Sequence, residues 1–346
     1  MKRSLGHCGA CLRGVARVRR VRPFACALLS TLAFSACGGD EVDLWPAFDQ
    51  VQGMALVLPG GSVRPFFLQR FEVTIAEYAR FADASALPPL ADLRARGDHP
   101  ITWVRREEAL AYLRPLGLRL PASQEWEAAA AHHLLIAPRT EATTDEIPLF
   151  TANSRETGVR GTVPVGFFEG DRTRDGIYDL AGNASEWTEG VFLLEEDGSY
   201  LLAPPESYRH ALLDLAALGG VDETELVAAR LDEIARRVRY VRVHGQSFVD
   251  ELMPAGANLP RVRTDRLVHH LDALSTVGFR GACDAVERLA LLGAEAEGRP
   301  ERLERLAAWL DRLPPGADGV LRRLLRERED ALAPSLVRLA RARLGE

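Results

Sequence analysis

Residues 140 to 200 restrict the fold of this chain more than any other stretch, because Gly, Thr, Asp and Asn abound there and almost no periodic apolar run appears. At its centre lies Asp175–Thr188, reading DGIYDLAGNASEWT. A structured loop tract of that length is uncommon inside a compact domain unless it wraps a ligand, a metal or a binding surface. Shorter regular elements flank it. Gly53–Gly61 reads as a strand closed by a Pro-Gly-Gly turn, and Phe71–Val73 as a second short strand. Thr74 and Glu77 have capping-box spacing, and Tyr78, Phe81 and Ala82 continue an apolar stripe behind them. A second helix is expected over Arg105–Leu113. A third opens in Leu118–Ala129, where Ala122 takes the cap position and costs about 1 kcal/mol unless Ser123 substitutes.

Beyond the loop tract, residues 207–237 carry a strongly helical Leu pattern and read as an inserted hairpin. Arg239–Val243 returns to strand character, and Thr276–Gly281 looks like a final strand. From Asp284 the composition shifts to Leu, Ala, Arg and Glu, broken at Gly298, Pro314-Pro315-Gly316 and Pro334. That segment, 284–346, is expected to form a helical appendage.

The first 36 residues hold seven Lys or Arg and no acid, followed from Pro23 to Phe34 by an apolar run too short to span a bilayer. Small residues then precede Cys37, in a pattern resembling a bacterial lipobox with Phe34 where Leu is usual. The expectation is a signal peptide over 1–36, a lipid on Cys37, a tether over 37–52 and an anchored location in the cell envelope. Loss of the leader leaves 36 basic against 49 acidic residues, a balance of −13. So acidic a chain argues against nucleic-acid binding, which draws on clustered positive charge. Cys8, Cys11 and Cys26 would leave with the leader and Cys37 would carry lipid, so Cys283 alone cannot form an internal disulfide.

Several islands, in order, resemble the formylglycine-generating enzyme, or sulfatase-modifying factor, family. They are Glu72-Val73-Thr74 with Glu77–Phe81, His99–Trp103, Leu118–Ala129, Asn153, Pro164-Val165-Gly166, Asp175–Thr188 and Val277–Arg280. The resemblance covers residues 53–283. It implies an α/β (α+β) fold, irregular, mixed and related to C-type lectins, here with a helical insertion and C-terminal helices.

It also implies chemistry to test. Calcium seeks six to eight oxygens, and the family's ion would correspond here to Asp179 and Glu186 by side chain, with Gly182 and Ala184 by carbonyl. A second ion would use Asn153 and the Ser154 carbonyl, but Thr157 replaces its carboxylate and Val159 stands at its carbonyl position. Family oxidases bind Cu(I) through two cysteines, a soft pair suited to that ion. Asp250 and Ala255 occupy those positions, so copper is not expected. His244 and Asp250 remain weak catalytic candidates on the old active-site strand. Arg261, Arg263 and Arg266 are candidates for lining a groove for an anionic or peptide ligand. The preferred expectation is a non-oxidase binding or scaffolding lipoprotein with one structural calcium and a peptide or protein partner. The alternative is an enzyme with altered, metal-dependent oxidative chemistry.

Overall fold

The computed structural model describes residues 45–82, 96–131, 133, 136, 151–195, 197–202, 225, 227, 239–251 and 265–346. The leader, Cys37, Ala255, Arg261, Arg263 and nearly all of the expected hairpin at 207–237 lie outside the described residues. The mixed α+β expectation holds. Two small sheets organise the chain, and each is built around an apolar strand that the sequence marks clearly.

The first sheet is antiparallel, in the order β1 (Met54–Val57), β2 (Phe66–Gln69) and β8 (Ala282–Asp284). β2 lies upstream of the strand expected at Phe71–Val73, where Glu72 sits in a loop instead. Of the strand expected at Thr276–Gly281 only Val277–Gly278 is a strand, and Arg280 lies in the loop between it and β8. Successive side chains on a strand point to opposite faces. Met54, Leu56 and Phe67 accordingly enter one core cluster, and Ala55, Val57, Phe66 and Leu68 enter another. Both faces of the sheet are covered, which is why MALV is apolar throughout rather than alternating.

The first face is covered from both ends of the described residues. Helix α1 (Pro46–Gln52) buries Phe48 and Val51, with Trp45 stacked on Phe48 at 4.5 Å. The residues expected as the end of a tether are therefore core from Trp45 onward. Against them pack α5 (Ala285–Ala296), α6 (Pro300–Arg312), α7 (Ala317–Arg328) and α8 (Pro334–Leu344). Trp309 meets both Phe48 and Phe67. These helices were expected as an appendage, yet they share one core with β1, β2 and α1. Gly293 marks their close approach, because a Cβ there would lie 2.6 Å from the Leu336 side chain. Among the described residues no helix is long and apolar enough to cross a membrane.

Helix α2 (Ile75–Phe81) begins with the Thr74–Glu77 capping box that its sequence announces. Helix α3 (Arg106–Leu113) follows, then α4 (Ser123–Ala130), which buries Trp126 and Ala129 on the second face of the first sheet. Ala122 has no side-chain oxygen to cap α4, and Ser123 does not replace it. The carboxylate of Glu125 reaches back to the Ala122 N–H at 2.8 Å and pairs with Arg119, supplying half of a capping box.

The second sheet runs β4 (Tyr200–Leu202), β3 (Ser185–Leu194), β5 (Arg239–His244) and β6 (Asp265–His269), all antiparallel. The short β7 (Val277–Gly278) lies parallel to β3. The end of the signature is thus the first half of β3, paired with β5 on one edge and β7 on the other.

Candidate functional site

The signature loop is held by residues far away in sequence. Glu72 is buried between β2 and α2, and its two oxygens accept from the Asn183 amide and the Ala184 N–H, each at 3.0 Å. Asn183 adopts φ 66°, a left-handed conformation that Asn tolerates better than most residues. Its Oδ1 accepts from the Val163 N–H at 2.9 Å and from the Asn153 amide at 3.1 Å. At Gly182 a Cβ would lie 2.7 Å from the Asn153 carbonyl oxygen, so the close crossing of the two loops requires glycine.

Arg280 is the hub beneath this loop. Its guanidinium is fully buried and forks onto Glu186 through Nε and Nη2. Nη1 donates to the carbonyls of Gln69 and Arg70, each at 3.1 Å, and Nη2 also donates to Tyr178 O at 2.8 Å. Glu186 Oε2 accepts as well from the Trp126 indole at 3.0 Å. Asp179, at φ 60°, accepts from the Gly166 N–H at 2.6 Å. Asp171 accepts from Ala181 N at 3.0 Å and lies 2.9 Å from His133 Nε2.

Glu72, Asp179 and Glu186 therefore surround one guanidinium. Burial raises the pKa of all three carboxyls. Asp179 and Glu186 push Glu72 further up, and Asp171 helps bring Asp179 to about 8. The Arg280 fork and the Trp126 N–H oppose the rise at Glu186. Burial works against charge on Arg280, but the three carboxyls outweigh it and raise its pKa. Glu186 and Arg280 are the ion pair of this node, while burial and the neighbouring carboxyls push Glu72 and Asp179 up.

The residues expected to hold calcium fall within the node. Both oxygens of Glu186 are engaged by Arg280 and Trp126, so a cation in the loop would be left with Asp179 and the carbonyls of Gly182 and Ala184. At the second expected site the Thr157 hydroxyl donates to the Ser154 carbonyl at 2.7 Å and lies 3.4 Å from Asn153 Oδ1. A hydroxyl donor thus bridges the two oxygens meant for an ion, and the residues there do not fit one. Among the described residues, no group of three His, Cys, Asp or Glu is placed to hold a metal.

The two weak catalytic candidates serve different neighbours. His244 is buried, its ring stacked on Trp126 at 4.9 Å. Asp250 lies in a turn after β5, where Oδ2 accepts from the Ser247 N–H at 2.8 Å and from the Ser247 hydroxyl at 2.7 Å. Arg266 pairs with the same oxygen at 3.7 Å and donates to the Thr276 hydroxyl at 3.2 Å. Cys283, on β8 opposite Phe67, is buried and accepts weakly from Arg288 Nε at 3.4 Å. Burial raises its thiol pKa, which suits a core residue rather than a nucleophile.

A cleft of about 330 Å³ opens beside the Ser247–Asp250 turn. Phe248 and Trp103 supply its aromatic walls, Arg96 and Arg160 its charges, and Thr102 and Thr162 its hydroxyls. Thr102 and Trp103 belong to the His99–Trp103 island, and Arg160 and Thr162 to the loop tract at 140–200. Arg96 and Arg160 carried no signal, because an isolated Arg in a loop reads as surface.

Residues 60–285 match the sulfatase-modifying factor enzyme 1-like domain model. The chain belongs to that family, and its fold is the formylglycine-generating type. Among curated relatives it is 30% identical over 122 residues to the bovine formylglycine-generating enzyme, covering 32% of each chain. It is 33% identical over 114 residues to the bovine inactive C-alpha-formylglycine-generating enzyme 2, covering 30% of this chain and 37% of that one. These matches span about a third of the relatives' own length. Solved structures similar to it include PvdO from Pseudomonas aeruginosa, 17% identical with a TM-score of 0.40 over 63% of this chain and 80% of that one. CarF is 16% identical with a TM-score of 0.39 over 67% and 96%.

Proposed function

We propose that this chain is a binding module of the cell envelope, built on the formylglycine-generating scaffold without its oxidase chemistry. The observation that carries the reading is Asp250. At the position where the resemblance puts a cysteine, its carboxylate closes a turn and pairs with Arg266. A hydrogen-bonded carboxylate of that kind is a scaffold element, and it offers no soft donor for copper. The similarity to a relative named as inactive supports the same reading. Lipid attachment at Cys37 would hold the module at the membrane, and a single calcium at Asp179, Gly182 and Ala184 would balance the buried carboxyls.

The direct test is aldehyde formation on a Cys-x-Pro-x-Arg peptide, with and without copper. No product is expected, and copper-dependent turnover would overturn the reading. Anchoring is tested separately by fatty-acid labelling in bacterial cells, where Cys37→Ser should lose the label and leave the membrane fraction.

A further inference from the structure

The cleft beside the Ser247–Asp250 turn differs chemically from the interior next to it. No Asp or Glu is found among its described lining residues, while Arg96 and Arg160 both border it. Arg96 is already aimed: its Nη2 donates to the Thr162 hydroxyl at 2.8 Å and lies 3.4 Å from His99 Nδ1. Burial and the Arg96 charge lower the His99 pKa, which keeps that ring neutral beside the guanidinium. Arg160 is exposed. Trp103 stands at φ 60° and is 42% exposed, although a bulky residue rarely occupies that backbone region. Its backbone N–H donates to Leu274 O at 2.9 Å, which pins the strained backbone in place. Backbone strain of this kind collects at binding sites.

With two guanidiniums and no carboxylate among its described lining residues, the cleft favours a ligand rich in acceptors. Guanidinium forks match the planar geometry of a carboxylate, and the two aromatic walls suit an apolar side chain next to it. From this we infer that the cleft binds an acidic peptide segment, with a carboxylate between Arg96 and Arg160 and a neighbouring apolar or aromatic side chain against Trp103 and Phe248. The inference rests on the binding-module reading and adds its ligand class. The volume lies at the low end of the range for small-ligand pockets, roughly 300–1,000 Å³, which matches two or three side chains rather than a folded surface.

The experiment uses fluorescent, end-capped octapeptides in which Asp or Glu adjoins Phe or Leu, beside matched sets with Asn or Gln in place of the acids. Binding to the whole chain is read by polarisation at low and high salt. Two variants accompany it: Arg160→Gln, which alters an exposed side chain, and Trp103→Gly, which removes the indole while suiting the left-handed backbone. The acidic set should bind, weaken with salt, and lose about tenfold or more with either variant, while circular dichroism stays unchanged. Equal binding of the amide set, still sensitive to Trp103→Gly, would overturn the acidic ligand class but leave the cleft as a binding site. No binding by either set, or binding indifferent to both variants, would overturn the cleft assignment. Turnover in the peptide oxidation assay would instead sink the binding-module reading itself.

Discussion

The node under the signature loop and the cleft beside the Ser247–Asp250 turn are neighbours in the fold and opposites in chemistry. In the node, Glu72, Asn183, Glu186 and Arg280 direct their polar atoms at one another and at backbone groups. In the cleft, two guanidiniums, several hydroxyls and a strained Trp103 border open volume. The motif that identifies the family is consumed in holding the chain together. The cleft is assembled from Arg96, Arg160 and Phe248, which lie outside the family islands, together with Thr102 and Trp103 from the His99–Trp103 island. The buried node and the open cleft therefore draw on largely different side chains.

The comparison can be broken at several points. The largest effect is expected from deleting residues 285–346, which would expose the first-sheet face bearing Met54, Leu56 and Phe67 along with α1. That protein should not give a cooperative thermal transition, and a stable fragment of near-native Tm would restore the view of these helices as an appendage.

Next comes Arg280→Met, which leaves three buried carboxyls around an apolar side chain. Removing one partner from a buried pair costs about 3–5 kcal/mol, measurable by urea titration. A loss under about 1 kcal/mol would mean that the node does not depend on its hub.

The third effect is on pH dependence. Asp179 holds its proton to about pH 8 in the fold, whereas an unfolded Asp releases it near 3.9. Between those values the native state binds more protons, so stability falls as pH rises from about 4 to 8 and then levels. Tm should therefore be higher at pH 5 than at pH 8 in EGTA. If Asp179 takes a calcium ion in place of its proton, millimolar calcium should remove that fall, and a Tm indifferent to calcium at pH 8 would count against the ion.

The smallest effect sharpens the contrast. Trp103→Gly should change stability by about 1 kcal/mol or less, because relief of the left-handed strain offsets the lost contacts. A large destabilisation would make Trp103 a core residue and weaken the case for the cleft.

Local features were legible wherever neighbours in sequence are also neighbours in space. The Thr74–Glu77 capping box, the strand at Met54–Val57 and the helix closing at Leu113 all depend on spacings of a few residues. The capping of α4 was only half legible, because the missing Ala122 hydroxyl was visible and the use of Glu125 was not. The helices after Asp284 were legible as amphipathic segments, but nothing in their periodicity says what their apolar faces meet. Within the site, Asp179 and Glu186 were recognised as acids with a role. Their partners were not, since Glu186 lies 94 residues from Arg280 and Ala184 lies 112 from Glu72.

By itself, then, the sequence determined the family, the loop-centred signature, the kinds of local element and the absence of any cysteine between Cys37 and Cys283. These depend on residue identity and short spacing. Tertiary structure decided that Glu186 answers Arg280, that Thr157 bridges two oxygens expected to hold an ion, that α1 and the helices after Asp284 close one core, and that Arg96, Arg160 and Trp103 share a cleft. Each of those outcomes joins residues far apart in the chain. Charge pairing, steric fit and burial act between atoms that meet only when the fold has formed.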